Sequence, residues 1–255
     1  MSPAERDTES AGGLERAAAI LGAFDEQHRE LSLAALVARC RLPRSTTHRT
    51  ADKMLKLGWL DKPADRYRIG NRIFELSGLA PVRHQLREAA LPYLQDLHHA
   101  TRTTVQLGVL SGTQVLLVEK ITGHRPMPML SQVGALLPAY CSALGLAILA
   151  YGDEPTVQAV IDAGMPRRTP RTITTATALR RELAAIPERG LAVEREEGNI
   201  GISCVAAPIF GPLGAVVAAV SVTGPTALVR ADRAGPAVRL AAAAASRAYS
   251  RFPSR

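Results

Sequence analysis

Six consecutive side chains with cationic or hydrogen-bonding heads, Arg44, Ser45, Thr46, Thr47, His48 and Arg49, open the stretch LPRSTTHRTADKMLKLGWL at residues 42–60. Each guanidinium fork can grip two phosphate oxygens or a guanine edge, and the hydroxyls and imidazole can reach phosphates or bases. The second half of the stretch turns apolar, with Met54, Leu55, Leu57 and Trp59. This division predicts a helix anchored by its C-terminal turns, with its N-terminal turns projecting and Lys53 extending the cationic face. Unpaired amides and the dipole at the helix start add to the attraction for anions. The competing reading is a capped surface helix whose Ser and Thr side chains satisfy their own backbone.

The surrounding charge favours a polyanionic partner. Residues 39–72 hold ten Lys and Arg against three Asp, a net charge of +7, while the whole chain carries +8. The other 221 residues therefore contribute only +1. A charge run can be merely a solvated face, but this concentration in one small region is the electrostatic footprint of nucleic-acid binding.

The elements needed to position that helix can be read around it. Leu14, Ala17, Ala18, Leu21 and Phe24 have helical spacing in GLERAAAILGAF, at 13–24. Ser32 is a good N-cap for a second helix with Leu33, Leu36 and Val37 on one face, ending near Cys40 and Arg41. Pro43 disfavours helical geometry at Leu42 and pre-sets its own φ for a new helix. Helix, tight turn and helix make a helix-turn-helix. Gly58 then stops the third helix, and Pro63-Ala64-Asp65 supplies the turn of a hairpin between Trp59-Leu60-Asp61 and Arg66-Tyr67-Arg68-Ile69. Alternation sends Tyr67 and Ile69 to one face, Arg66 and Arg68 to the other. A basic hairpin after a helix-turn-helix is a wing. The candidate DNA contacts are Ser32, Arg44, Ser45, Thr46, Thr47, His48, Arg49, Lys53, Arg66 and Arg68.

With 255 residues and 47% hydrophobic side chains, the chain has ample material for more than one core. Ile73, Leu76 and Leu79, then Leu91, Leu94 and Leu97, mark linker helices that Pro81 and Pro92 begin or interrupt. Beyond Arg102 the pattern alternates. TVQLGVL, QVLLVEKI, LAVEREE, CVAAPIF and AVVAAVSVTG read as strands; CSALGLAILAYG, EPTVQAVIDAG, ATALRRELAAIPERG and the Ala-rich end read as helices. The expected division is a winged domain at 10–72, linker helices at 73–101 and an α+β domain at 102–255.

Three well-separated cysteines, Cys40, Cys141 and Cys204, exclude a zinc ribbon or a disulfide framework and fit a reducing cytosol. No apolar run reaches membrane-spanning length uninterrupted, and MSPAERDTES lacks a signal core. A cytoplasmic protein without metal or cofactor is expected, associated with the nucleoid when bound to DNA.

The whole chain over about 13–250 resembles the IclR family of bacterial transcriptional regulators. The resemblance is carried by LERAAAILGAF, LSLAALVARCRLPRSTTHRT, RYRIGNRIFELSGLA, GLAVEREEGNIGISCVAAPI and VVAAVSVTGP. It implies an N-terminal winged helix-turn-helix, a linker helix and a C-terminal GAF-like domain that binds a small molecule. It also implies dimers or dimers of dimers, acting on double-stranded DNA as repressor or activator. Dimerisation would make the operator roughly palindromic, with half-sites about one turn apart or a multiple. Carried over by position, the effector pocket would have Leu130 and Leu137 as apolar wall, Ala143 and Leu144 at a helix start, Glu194 and Ile202 opposite, and Cys204, Ser221 and Thr223 as floor.

Amides at the helix start near Ala143 would seat a carboxylate. Ser221 and Thr223, two apart on a strand, share a face. A small organic acid is therefore the expected effector. Against this, Cys204 could be packing, Ser221 and Thr223 could face solvent, and Glu194 could join Glu196 and Glu197 in a solvated group. Tyr140-Cys141-Ser142-Ala143-Leu144-Gly145-Leu146-Ala147 lacks the His and Lys usual in the family, and Glu194 stands where Asp is more usual. Thr50-Ala51 replaces a more typical Leu pair, which predicts weaker anchoring of the recognition helix. Two other functions remain open. One is a regulator that acts by oligomerisation without a ligand. The other is an enzyme using Cys204 or Ser221 as nucleophile, although the six histidines all lie early in the chain and offer no evident base.

Overall fold

A computed structural model describes residues 12–25, 27–79, 81–122 and 131–252. Its contacts divide the chain into two compact units, 1–81 and 82–255, a boundary that falls within the expected linker.

The first unit is built on helices α1 (Gly13–Leu21), α2 (Leu33–Cys40) and α3 (Arg44–Lys56). Ser32 caps α2 by accepting the Ala35 amide, and Arg41 ends it in a left-handed conformation with φ of 56°. Pro43 leads directly into α3. Thr47, Ala51 and Met54 lie one helical turn apart and form the buried stripe of α3. They join Ile20, Leu36, Leu60 and Tyr67 in a single core. Ala51 is fully buried, its small side chain serving close approach where a larger pair was usual.

Leu57, expected as an anchor, is instead 60% exposed because the helix has ended and it forms the C-cap. Leu14 is likewise exposed on α1. The wing is a short antiparallel ladder of β1 (Leu60–Asp61) and β2 (Arg68–Ile69), closed by a 3-10 turn at Pro63–Asp65. Tyr67 lies just outside β2, where its amide and carbonyl bridge to Leu31 at 2.7 and 2.9 Å. Its ring enters the core, whereas Ile69 is partly exposed. Gly70 is required by proximity: a Cβ there would lie 2.3 Å from the Gly58 carbonyl oxygen. Helix α4 (Asn71–Ser77) follows, with Phe74, Leu76 and Leu79 exposed rather than forming a buried stripe.

The second unit begins with α5 (Pro81–Thr101). It continues unbroken through Pro92, whose ring is exposed while Leu86, Ala90, Leu94 and Leu97 hold the helix to the sheet. The sheet comprises β3 (Thr104–Ser111), β4 (Gln114–Ile121), β5 (Leu136–Pro138), β6 (Ala192–Arg195), β7 (Ile202–Phe210) and β8 (Val216–Pro225). Their order is β5-β4-β3-β8-β7-β6, antiparallel throughout. Strand β5 is three residues long, too short to leave a periodic signal in the sequence.

Both faces are covered. Val205, Ala207 and Ile209 of β7 and Ala218, Val220 and Val222 of β8 pack against α5 and the terminal helix α9 (Ala231–Tyr249). Alternate residues on the other face meet α6 (Ala143–Leu149), α7 (Glu154–Asp162) and α8 (Ala176–Arg189). Gly190 closes α8 at φ of 63°. The result is an α+β domain with a curled antiparallel sheet between helical layers.

Helix α6 can sit against the 3-10 turn at Ala139–Cys141 only because residue 145 has no side chain: a Cβ there would lie 2.3 Å from the Ala139 carbonyl oxygen. Gly145→Ala therefore costs about 1–3 kcal/mol. That is a fall of roughly 2–12 °C in the melting temperature of the second unit, measurable by calorimetry on the full chain.

Candidate functional site

Two surfaces collect the polar groups that the fold leaves available, one in each unit. On α3, the core takes Thr47, Ala51 and Met54, so the opposite face must carry the remaining side chains. Arg44, Ser45, His48, Arg49, Lys53 and Lys56 are exposed there and Thr46 is half-buried. Arg44, Arg49, Lys53 and Lys56 form no ion pair among the described residues, while His48 pairs with Asp52 at 3.2 Å. The face therefore offers uncompensated cations and donors.

The wing is different. Arg66 lies 3.9 Å from the Glu30 carboxylate and donates to the Glu30 carbonyl at 3.3 Å, and Arg68 lies 3.6 Å from Asp61. Lys62 donates to Asp65 at 2.6 Å and sits over the Tyr67 ring. Ser32 is exposed, but its oxygen is committed to the α2 cap. One expectation is corrected outright. Thr47 is 0% exposed; its hydroxyl donates to the Pro43 carbonyl at 3.1 Å and lies 3.5 Å from the Cys40 sulfur. Its position on the buried stripe removes it from any external ligand.

In the second unit a cavity of about 290 Å³ opens beside the sheet. Strands β3, β7 and β8 supply Gln106, Cys204 and Thr223; β6 supplies Glu194, and the loop around 168 supplies Arg168. Ser131, Gln106, Thr223 and Cys204 form a buried chain. The Gln106 side-chain amide donates to Ser131 Oγ at 2.9 Å, and Thr223 Oγ1 lies 3.1 Å from Gln106 Oε1 and 3.2 Å from Cys204 Sγ. The Glu194 Oε1 atom accepts the amides of Glu197 and Gly198 at 2.5 and 3.1 Å. Register explains the gathering: Cys204 pairs with both Glu194 and Thr223, and Gln106 pairs with Ser221.

Ser221 and Thr223 are thus turned inward rather than to solvent, and Glu194 is 3% exposed. Ser221 lies on the same face but does not line the cavity, and its hydroxyl is buried without a hydrogen-bond partner among the described residues. Leu137 and Ile202 line the cavity as expected. Ala143 and Leu144 do not: Leu144 reaches over Gly108 of β3, and Cys141 and Ser142 face the cavity in their place. Ser142 Oγ already accepts the Gly145 amide at 3.2 Å, so one of the amides expected to seat a carboxylate is committed to the helix cap. Leu130 lies outside the described residues. Gln106, Ser131 and Arg168 were missed. Gln106 and Ser131 are lone polar residues, and Arg168 sits in a segment without periodicity.

Burial shapes the protonation of this region. It raises the Glu194 carboxyl above its ordinary value, against the lowering by the two amides. It pushes Glu197 up to about 7, with the Glu194 and Glu182 charges adding to the effect. Glu197 Oε2 is buried and unpartnered, as suits a protonated acid. Desolvation also raises Cys141 to about 11 and Cys204 well above the usual thiol range. Both thiols are neutral at pH 7, the opposite of an activated nucleophile.

Comparison with known proteins matches two family models. The bacterial transcriptional regulator IclR C-terminal domain covers residues 80–251, and the IclR helix-turn-helix domain covers 13–64. The HTH-type transcriptional regulator XynR of Escherichia coli K12 is 30% identical over 219 residues, 85% of this chain and 87% of its own. The regulator KdgR of the same organism is 29% identical over 225 residues, 87% of this chain and 85% of its own. An IclR homolog from Microbacterium hydrocarbonoxydans, solved in complex with 4-hydroxybenzoate, superposes with a TM-score of 0.85 at 28% identity, covering 93% of this chain and 99% of that one. The Thermotoga maritima IclR gives 0.75 at 28% identity, covering 93% and 98%.

The Glu197 shift has a definite sign. A carboxyl that binds its proton more tightly when folded stabilises the fold below the ordinary value of 4.5, and that contribution is lost as pH rises through about 7. The melting temperature of the second unit should fall across this window, and Glu197→Gln should flatten the profile.

Proposed function

The chain belongs to the IclR family of bacterial transcriptional regulators, and from that premise we propose that two copies read a roughly palindromic operator through α3, under the control of a small organic acid held in the second unit. It is a regulator with a helix-turn-helix DNA-binding domain and a C-terminal effector domain, and not an enzyme. The observation that carries the operator reading is the face of α3. Arg44 and Arg49 are exposed and form no ion pair among the described residues, on a helix whose back is locked by Thr47, Ala51 and Met54. In a major groove these two arginines would read guanine edges, with Ser45, Thr46 and His48 reaching bases or phosphates. Arg66 and Arg68 would exchange their carboxylate neighbours for phosphates, with Ser32 and Lys53 adding backbone contacts.

The acid reading is supported by the cavity and by the 4-hydroxybenzoate bound in the Microbacterium homolog. Leu137 and Ile202 would cover the apolar part of the ligand, and Glu194, Cys204 and Thr223 its polar part. The acid must bind the DNA-competent state and its alternative with different affinity, because equal affinity switches nothing. No helix among the described residues is long and apolar enough to cross a membrane, and the proposed site of action is cytoplasmic DNA.

Selection of bound duplexes from a random pool by the full-length protein should enrich an inverted repeat. Arg49→Ala should then weaken binding by about 1–3 kcal/mol and relax one position of each half-site. Arg68→Ala should weaken all sequences alike and flatten the log–log salt slope by about one unit. Failure to enrich any sequence would sink the operator reading. Independently, 4-hydroxybenzoate or another monocarboxylic acid should raise the melting temperature and alter operator affinity; a panel of such acids without effect would favour regulation by oligomerisation alone.

A further inference from the structure

Among the described residues that line the cavity, one is a cation, Arg168. Arg168 is exposed, while Glu194, the acid of the described lining, is buried at the floor with Cys204 and Thr223. The backbone around Arg168 is tied down on both sides. Before it, the Tyr140 hydroxyl donates to the Pro166 carbonyl at 2.7 Å. After it, Thr169 and Thr172 donate to the carbonyls of Glu196 and Glu197 at 2.6 and 2.7 Å, and Thr172 Oγ1 accepts the amides of Arg168 and Thr169 at 3.1 and 2.8 Å. Both threonines are buried.

This clasp fixes the loop to the β6–β7 turn, whose amides hold Glu194. Yet the Arg168 guanidinium itself forms no ion pair or hydrogen bond among the described residues, whereas the neighbouring Arg167 donates to Pro170 and Arg171 lies 3.7 Å from Glu196. A guanidinium carried on a tied-down backbone beside a preformed cavity, with no ion pair or hydrogen bond among the described residues, is poised for an incoming anion.

The floor is built for the other end of the ligand. Gln106, Ser131, Glu194 and Thr223 are all more than nine-tenths buried and offer donors and acceptors, and the nearby Lys120 ammonium is engaged by the Ser131 carbonyl at 2.5 Å. A second anion pushed to this floor would meet the buried Glu194 carboxyl, while the Lys120 ammonium is already engaged by the Ser131 carbonyl. A neutral hydroxyl would find partners there.

We propose that Arg168 is the specificity-determining residue that takes the effector's carboxylate at the cavity entrance, and that Glu194 bars a second anion from the floor. The pocket then selects monoanionic acids with a neutral polar tail over dianions and over neutral isosteres. This rests on the organic-acid reading above and adds the residue and charge state that it leaves open.

Isothermal titration of the full-length protein with three probes tests the pair: 4-hydroxybenzoate, its neutral amide 4-hydroxybenzamide, and the dianion terephthalate. The wild type should bind 4-hydroxybenzoate about tenfold or more tightly than either analogue. Arg168→Gln should erase that advantage over the amide while leaving amide affinity and unliganded Tm unchanged. Glu194→Gln should selectively improve terephthalate. If Arg168→Gln weakens acid and amide equally, or neither, Arg168 is not the carboxylate partner although the organic-acid reading stands. If terephthalate binds the wild type as well as 4-hydroxybenzoate does, the role of Glu194 is refuted. If neither 4-hydroxybenzoate nor a wider panel of monocarboxylic acids binds the wild type, the organic-acid reading falls and takes this inference with it.

Discussion

Removing a polar atom from water obliges it to find a partner, at a cost of about 1–3 kcal/mol if it does not, and this obligation sorts the side chains of both units. Thr47 meets it within its own helix turn, through the Pro43 carbonyl, and so becomes part of the seat of α3. Gln106, Thr223, Cys204 and Glu194 meet it by linking across neighbouring strands, because helices cover both faces of the sheet and inward polar groups have little else to bond. Among the described residues, four buried side-chain atoms fail: Arg16 Nε and Tyr67 Oη in the first unit, and Glu197 Oε2 and Ser221 Oγ near the cavity of the second. The floor of the cavity is consequently held together across strands, with polar capacity left over for a ligand.

The same accounting applied to charge separates the two halves of the basic segment. The wing arginines already have carboxylates nearby, at 3.6 and 3.9 Å, and their side chains are exposed. Surface pairs of that kind are worth little and are readily exchanged for phosphate. Among the described residues Arg44, Arg49, Lys53 and Lys56 form no ion pair, and the one carboxylate of α3, Asp52, is engaged by His48, so a polyanionic partner would relieve their mutual repulsion. The net charge of +7 over residues 39–72 is thus unevenly available, with the helix tip as its most exposed part.

Much of this was legible in the sequence, for reasons that can be named. The helix-turn-helix carries strong local signals at Ser32, Pro43 and Gly58, and all three act where expected. The apolar runs of β3, β4, β7 and β8 were readable because both of their faces are buried. What escaped depended on tertiary geometry. Leu57 looked like an anchor by type, yet the helix ends one residue before it. Thr47 looked like a contact by chemistry, yet it shares a face with Ala51 and Met54. Ala143 and Leu144 gave way to Cys141 and Ser142 at the cavity because Leu144 fills the space above Gly108. Arg168 left no signal at all, since nothing in the run MPRRTPRT distinguishes a loop that lines a cavity from one that does not.

The departures from the family pattern between Tyr140 and Ala147 become coherent once that loop is considered. Leu146, standing where a Lys is usual, is fully buried in an apolar cluster that includes Val115, Leu117 and Leu179, an environment that penalises an ammonium group. Tyr140, standing where a His is usual, is also buried, and burial raises its phenol to about 12. It is therefore a protonated donor at every physiological pH, and its hydroxyl holds Pro166, two residues before Arg168. An imidazole is shorter and changes charge near neutrality; the phenol does neither. The exchange removes one titrating group from the cavity region and supplies a permanent tether for the loop that brings a permanent cation to it.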